Sequence, residues 1–333
     1  MAPLDDFGFN EFLGGLAVTF FFVLSGFLIT SLLLTEKAET GTILVKRFLT
    51  RRALRIWPLY YLVLAAGYGV SFFVLGDIPS NPFANGLVLN ALLLPNLAFA
   101  FGLIPDILIQ IWSVGTEEQF YLVWPFLLKR VKAGKLVAIF FAIIGFWLVA
   151  RGIVSSLGAN YRWLNIFLFR TRVDCMAIGG LAALLLSSRE RGTKRWASVE
   201  RLIYHPLTGW AAFFGFLFLL FLSYRFHVSL YQLYALLSGL LILRLIEQPS
   251  PLLESGILRY LGKVSYGIYL LQHFAIFFLF RVWIQKAGPP FPAGLAGSRL
   301  AGIGIFLLAA LLTVGLAALS YTFFESRFLR RKA

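Results

Sequence analysis

The chain predicts an all-α, polytopic transmembrane bundle, and three observations carry that prediction. Apolar residues make up 59% of its 333 positions, with 35 Phe and 8 Trp, and the mean hydropathy is +0.82. Charged residues make up 14%, whereas soluble domains run at about 25% charged and about 45–50% apolar. The apolar residues also gather into runs of roughly 20, the length a helix needs to cross the hydrocarbon core. A soluble domain of this size is excluded. The net charge of +15 is read as membrane topology, so no nucleic-acid partner is expected. One cysteine, Cys175, excludes an internal disulfide and a cysteine-built metal cage. No metal-ligand spacing, glycine-rich nucleotide loop or serine-nucleophile elbow is present, and no metal is expected. The N-terminus lacks the charged region and small-residue site of a cleaved signal peptide.

Nine spans follow in order, at about 12–34, 55–76, 110–128, 136–156, 164–187, 204–223, 227–246, 264–284 and 300–324. The apolar stretch 83–104 is interrupted by Asn85, Asn90, Pro95 and Asn96, with Pro105 just beyond. It reads as an outer loop with a short or re-entrant helix, since broken backbone survives at membrane depth only against protein or water. Basic residues then fall in alternate loops: Lys37, Lys46, Arg47, Arg51, Arg52 and Arg55 in one, Lys129, Arg130, Lys132 and Lys135 in the next. Arg189, Arg191, Lys194, Arg195 and Arg201 follow, then Arg244, Arg259 and Lys263, then Arg327, Arg330, Arg331 and Lys332 in the tail. The positive-inside rule puts all of these, and the C-terminus, in the cytoplasm. The 77–109 loop, with Asp77 and Asp106 and no Lys or Arg, and residues 1–11, with Asp5, Asp6 and Glu11, are then outside.

Chemistry is expected where charge enters apolar helix. WSVGTEEQFYLVWP, residues 112–125, places Glu117 and Glu118 in the opening turns of an otherwise apolar helix. A carboxylate within a span costs at least ~2.5 kcal/mol, so it usually faces a cavity or a partner. Glu117 lies under ~10 Å below the helix start, on one face with Phe120, Tyr121 and Trp124. Glu118 is rotated by about 100° and suits simple capping of the helix dipole. Arg170, Arg172 and Asp174 enter another span from the same side; Arg170 and Asp174 are spaced to neutralise each other, which leaves Arg172 the better functional candidate. Within RRALRIWPLYY, residues 51–61, Arg52 and Arg55 project together from the cytoplasmic mouth of a helix. Fork-shaped guanidiniums at that spacing suit phosphate binding; the plainer reading is positive-inside anchoring. His273 is near mid-span, either a hydrogen-bonded helix contact or a working imidazole; His205 and His227 read as interfacial.

Taken in order, FFVLSGFLIT (21–30), RRALRIWPLYYL (51–62), WSVGTEEQFYLVWP (112–125) and SYGIYLLQH (265–273) resemble the acyltransferase 3 family. TRVDCMAIGG (171–180) and LSYTFFESRFLR (319–330) resemble its R-x-D and closing Ser-Tyr…Glu segments. These are bacterial membrane O-acyltransferases that decorate surface glycans. The resemblance implies a ten-helix domain, an acyl-CoA donor (commonly acetyl-CoA) bound from the cytoplasm, and a sugar hydroxyl as acceptor outside. It places the family's RxxR motif on Arg52 and Arg55, its first motif glutamate on Glu117 and its R-x-D pair on Arg172 and Asp174.

Departures from the family are also legible. Relatives usually begin with a further helix carrying an Arg and, about ten residues later, a His taken as the catalytic base; this chain begins after it. Many relatives carry His where this chain has Gln272, with His273 one place later, and Arg327 stands where Pro is common. The chain as it stands is therefore expected to be a single domain over 1–333, lacking the first helix, without an appended soluble domain, and impaired by itself. General-base help contributes about 10²–10⁴-fold, and Glu117 would orient or charge such a base.

The expected function is acyl transfer from cytoplasmic acyl-CoA to a cell-surface or exported carbohydrate, or a glycolipid, in the bacterial inner membrane. No tightly bound cofactor is expected. Catalytic candidates are Glu117, Arg172, Asp174 and His273; Arg52 and Arg55 are the donor-binding candidates. The rival readings are a transporter or flippase for a glycosylated or acylated lipid, and a degenerate scaffold subunit. Inverted repeats would favour the transporter, and none is visible.

Overall fold

The computed structural model describes residues 9–76, 86–190, 197–226, 230–248, 250–251, 253–280 and 299–330. All regular structure among them is helical. The long helices are α1 (Phe9–Thr40), α2 (Val45–Phe73), α5 (Trp112–Arg130), α6 (Ala133–Ser156), α8 (Val173–Glu190), α10 (Pro206–Phe226), α11 (Tyr231–Glu247), α12 (Gly256–Phe277) and α13 (Arg299–Ser320). Shorter ones are α3 (Leu87–Ala91), α4 (Pro95–Ala100), α7 (Arg162–Arg170), α9 (Ala197–Ile203) and α14 (Ser326–Leu329), with a π-helical turn at Tyr321–Glu325.

The described parts of the nine expected spans are helical apart from short ends and breaks, with 227–229 and 281–284 outside the described residues. Six helical stretches among the described residues are long and apolar enough to cross a membrane: Gly14–Thr40, Val45–Phe73, Ala133–Ser156, Arg162–Arg189, Gly256–Phe280 and Gly302–Leu329. A seventh arises if α9 and α10, bent by 63° at their junction, form one span. α5 is not among them, since its first half carries Ser113, Thr116, Glu117, Glu118 and Gln119, and neither is α11, a shorter helix of 17 residues. The span expected at 164–187 is interrupted at Thr171–Arg172, between α7 and α8. α2 begins ten residues before the expected 55, so Arg52 and Arg55 lie in its second and third turns rather than at its mouth. Long basic side chains are good helix formers and keep their charge in water while their stems cover apolar surface. Asp5, Asp6, Asp77, Asn85, Arg191, Lys194, Arg195, His227, Arg331 and Lys332, all used in the topology reading, lie outside the described residues, and of Glu11 only the backbone is described.

Packing divides the chain into two compact units, residues 1–45 with 116–250, and 46–115 with 251–333. In the first, α1 lies backbone to backbone on α8. A Cβ on Gly26 would strike the Met176 carbonyl, and one on Gly179 the Val23 carbonyl. Small residues permit this approach where no hydrophobic force draws helices together. Gly180 faces Phe140, Trp124 and Thr30; the Trp124 ring stacks on Phe140 at 4.6 Å, and its Nε1 donates to Thr30 Oγ1 at 2.8 Å. The basic residues read as topology signals also cap helices. Lys37 Nζ donates to the carbonyls of Leu128, Lys129 and Val131 at 2.6, 3.1 and 3.3 Å, closing the end of α5. Arg244 bonds the Tyr204 carbonyl, Glu247 and Gln248, and Arg189 reaches the same Glu247 at 2.8 Å.

In the second unit, the broken segment after residue 85 folds as α3 and α4, with Asn90 and Asn96 fully buried. Tyr60 Oη donates to the Asn90 carbonyl at 2.6 Å, and Asn90 Nδ2 donates to Tyr68 Oη at 2.9 Å. Gly86 is held at φ +66°, where a Cβ would strike the Leu103 carbonyl; only glycine suits both demands. Gln110 Nε2 donates to the Leu270 carbonyl at 2.7 Å, and Tyr269 Oη bonds Ser113 Oγ at 2.6 Å, tying α12 to the chain around residues 110–113.

Candidate active site

Glu117 sits in the second turn of α5 and is 5% exposed, while Glu118 is half-buried. Tyr121, one turn further along the same face, donates its hydroxyl to Glu117 Oε2 at 3.2 Å. Its oxygen also bonds Ser25 Oγ of α1 at 2.6 Å. The pattern E-x-x-x-Y therefore fixes the carboxylate to its own helix, and the tyrosine fixes both to α1.

Arg172 occupies the break between α7 and α8 and is 1% exposed. The break releases the Phe169 carbonyl, which accepts from Arg172 Nε at 3.0 Å. Its Nη1 donates to the Gly15 carbonyl at 2.7 Å and to Thr19 Oγ1 at 2.6 Å, and the guanidinium lies over the Tyr231 ring at 3.5 Å. The sequence left this arginine without a local partner; the structure surrounds it with α1, α7 and α11. Cation–π contact and carbonyl bonds replace the water that a buried guanidinium loses.

Asp174 is fully buried, and its bidentate partner corrects the spacing argument that paired it with Arg170. Arg151 of α6 donates through Nη1 to Oδ2 at 2.7 Å and through Nη2 to Oδ1 at 2.9 Å, with its Nε on the Leu168 carbonyl. Gln232 Nε2 of α11 adds a bond to Oδ2 at 3.1 Å. Arg151, Gln232, Tyr231, Thr19 and Ser25 were not singled out in the sequence. Arg151 carried a usable signal, a charge inside an apolar run; the others are polar residues of ordinary kind that only the fold brings to a charge.

Glu117, through Tyr121, and Arg172 directly are thus tied to α1 at Ser25 and Thr19, six residues and ~9 Å apart along that helix. Asp174 lies two residues after Arg172 on the same turn of chain. The other unit holds the remaining candidates. Arg52 is half-buried, with its guanidinium 5.5 Å from the Phe48 ring centroid, and Arg55 is exposed. His273 is half-buried in α12, and its Nδ1 is buried with no hydrogen-bond partner among the described residues. No group of three metal-ligating side chains occurs among the described residues.

The fold and site define a polytopic helical membrane protein with a buried glutamate, a buried Arg–Asp pair and a clamped arginine on adjoining helices. The chain belongs to the acyltransferase 3 family: the family model Acyl_transf_3, described as an acyltransferase domain, matches residues 2–322. It is similar to "Peptidoglycan O-acetyltransferase OatA" of Listeria monocytogenes, 38% identical over 136 residues, 37% of this chain and 22% of that protein. It is also similar to "Putative peptidoglycan O-acetyltransferase YrhL" of Bacillus subtilis, 28% identical over 339 residues, 95% of this chain and 51% of that protein. An O-acetyltransferase so named from Staphylococcus aureus strain COL, also with the prefix "Putative", is 25% identical over 344 residues, 95% of this chain and 52% of that protein. The chain spans about half the length, or less, of these relatives. No solved structure matches it.

Proposed function

We propose that this chain is the membrane domain of an O-acetyltransferase that moves an acetyl group from cytoplasmic acetyl-CoA to a hydroxyl of a cell-wall glycan. The observation that carries the reading is the family match over nearly the whole chain, with a buried glutamate at the centre of one of the motifs. The printed names of two relatives make peptidoglycan the acceptor to test first.

In the proposed reaction the glycan hydroxyl oxygen attacks the thioester carbonyl, a C–O bond forms and the C–S bond breaks. The hydroxyl proton passes to a base and then to the departing sulfur, which leaves as CoA thiol. Glu117 supplies the buried negative charge that orients and strengthens that base, as carboxylates do beside histidine in triads. Arg172 and Asp174 hold α8 against α1, α6 and α11 around it. Arg52 and Arg55 bind the donor's phosphates by their guanidinium forks, on the cytoplasmic side assigned by the positive-inside rule. His273 is assigned proton transfer as the imidazole that lies within a span. The setting is the bacterial inner membrane with a cytoplasmic C-terminus.

The test is a base-labile acetyl-ester assay on cell-wall glycan from a host lacking its own enzyme, expressing the full-length protein or Glu117→Gln. Glu117→Gln should cut acetylation by about 10²–10⁴-fold. Label from acetyl-CoA supplied to inverted membrane vesicles should appear in the glycan. Wild-type acetylation by Glu117→Gln, or uptake of substrate without transfer of label, would overturn the reading.

A further inference from the structure

The direction of the hydrogen bonds around Glu117 can be worked out. A phenol has one hydrogen to give, and Tyr121 gives it to Glu117 Oε2. The 2.6 Å contact between Tyr121 Oη and Ser25 Oγ must then run the other way, with the serine donating. The three groups form an ordered chain from Ser25 to Tyr121 to Glu117, each bond polarising the next. Its members are all nearly inaccessible, with Ser25 at 7%, Tyr121 at 5% and Glu117 at 5% exposure. Its far end is anchored, since Gly26, the neighbour of Ser25, lies against the Met176 backbone, and Thr30 takes the Trp124 bond one turn further on. α1 therefore presents Ser25 at a fixed register to the face of α5 that carries Tyr121 and Glu117.

We propose that Tyr121 and Ser25 are positioning residues of the acyl-transfer reaction, Tyr121 holding the Glu117 carboxylate in one orientation and Ser25 holding Tyr121. The inference rests on the proposed role of Glu117. It deepens that role by making part of the reactive geometry a property of the α1–α5 contact rather than of α5 alone. Ser25 acts only through Tyr121, so its effect must vanish when the phenol is gone.

The experiment measures transfer from labelled acetyl-CoA to isolated cell-wall glycan fragments by the full-length protein in detergent, where both faces are open. Tyr121→Phe should lower kcat by about 10–50-fold, Ser25→Ala by about 5-fold, with KM for acetyl-CoA within about 2-fold of wild type, the pattern of a lost transition-state interaction. The double variant should match Tyr121→Phe alone, because residues in one network are not additive. Ser25→Thr keeps the hydroxyl and should outperform Ser25→Ala, whereas a role in packing alone would make the larger residue worse. A double variant that loses the product of the two single effects overturns the inference, as does wild-type kcat in Tyr121→Phe or a Ser25→Thr poorer than Ser25→Ala. If Glu117→Gln is inactive while Tyr121→Phe is normal, this inference falls alone; if Glu117→Gln is fully active, the role of Glu117 falls first.

Discussion

The two packing units treat their polar residues differently. In the unit of residues 1–45 and 116–250, Asp174 takes two bonds from Arg151 and one from Gln232, Arg172 is bonded to two carbonyls and a hydroxyl under an aromatic ring, and Glu117 is held by Tyr121. In the unit of residues 46–115 and 251–333, Arg55 is exposed and Arg52 half-buried. Buried side-chain atoms with no hydrogen-bond partner among the described residues occur in both units, Ser31 Oγ and Thr116 Oγ1 in the first, Asn90 Oδ1, Gln110 Oε1 and His273 Nδ1 in the second. A buried polar atom left unmatched costs about 1–3 kcal/mol. The first unit binds its buried charges in dense polar contacts; the second leaves the two arginines proposed for donor binding exposed or half-buried. Substitutions in the Arg151–Asp174 pair of the first unit should therefore act on folding, and those at Arg52 and Arg55 of the second on binding.

The strongest separation is expected at Asp174. Asp174→Ala strands the Arg151 guanidinium in a buried site, and removal of one partner of a buried pair costs about 3–5 kcal/mol. The loss should be read as folded yield and thermal unfolding of the detergent-solubilised protein. Replacing both partners, Arg151→Met with Asp174→Leu, should recover most of it, because apolar pairs of similar volume often equal a buried ion pair. A single variant that folds normally would show that the pair is not part of the rigid frame.

Next come the glycines. Gly179→Ala pushes a methyl group into the Val23 carbonyl and the Phe27 amide, both backbone atoms that cannot rotate away. Overpacking of this kind costs about 1–3 kcal/mol. Gly145→Ala on α6 meets nothing within 4 Å and should be neutral or up to about 1 kcal/mol stabilising through helix propensity. Equal melting temperatures for the two variants would contradict the close α1–α8 approach.

The sequence made the helical spans legible because a run of about twenty apolar residues has few alternatives in a membrane. It also gave the irregular segment around Asn90 and Pro95, since prolines and buried amides break a span. The α7–α8 break at Thr171 had no such marker: TRVDC contains neither Gly nor Pro, and the break is held by Arg172, itself in the break, bonding the Phe169 carbonyl. Glu117 was legible as a carboxylate among apolar residues, and its i, i+4 tyrosine with it. The Asp174 partner was not, because Arg151 lies 23 positions away and is brought to it by packing of α6 on α8, whereas local spacing favoured Arg170. The close approach at Gly26 and Gly179 was hidden for a similar reason: glycine is common in membrane helices, and composition does not say which ones touch.

The smallest effect on stability, and the one that tests the second unit, is expected from Arg52→Lys and Arg55→Lys. Lysine preserves the charge, the helix propensity and most of the apolar stem, so the melting temperature should not move beyond what about 0.5 kcal/mol produces at a surface site. What lysine lacks is the planar fork that grips a phosphate with two parallel bonds. If these residues bind the donor, each substitution should raise KM for acetyl-CoA by roughly 10-fold, about 1.4 kcal/mol, with kcat nearly unchanged, as for lost uniform binding. Basic anchoring alone would give unchanged KM in both variants, since an ammonium anchors as well as a guanidinium. A fall in melting temperature comparable to that of Gly179→Ala would instead place Arg52 and Arg55 among the frame residues, and their contrast with the Arg151–Asp174 pair would not hold.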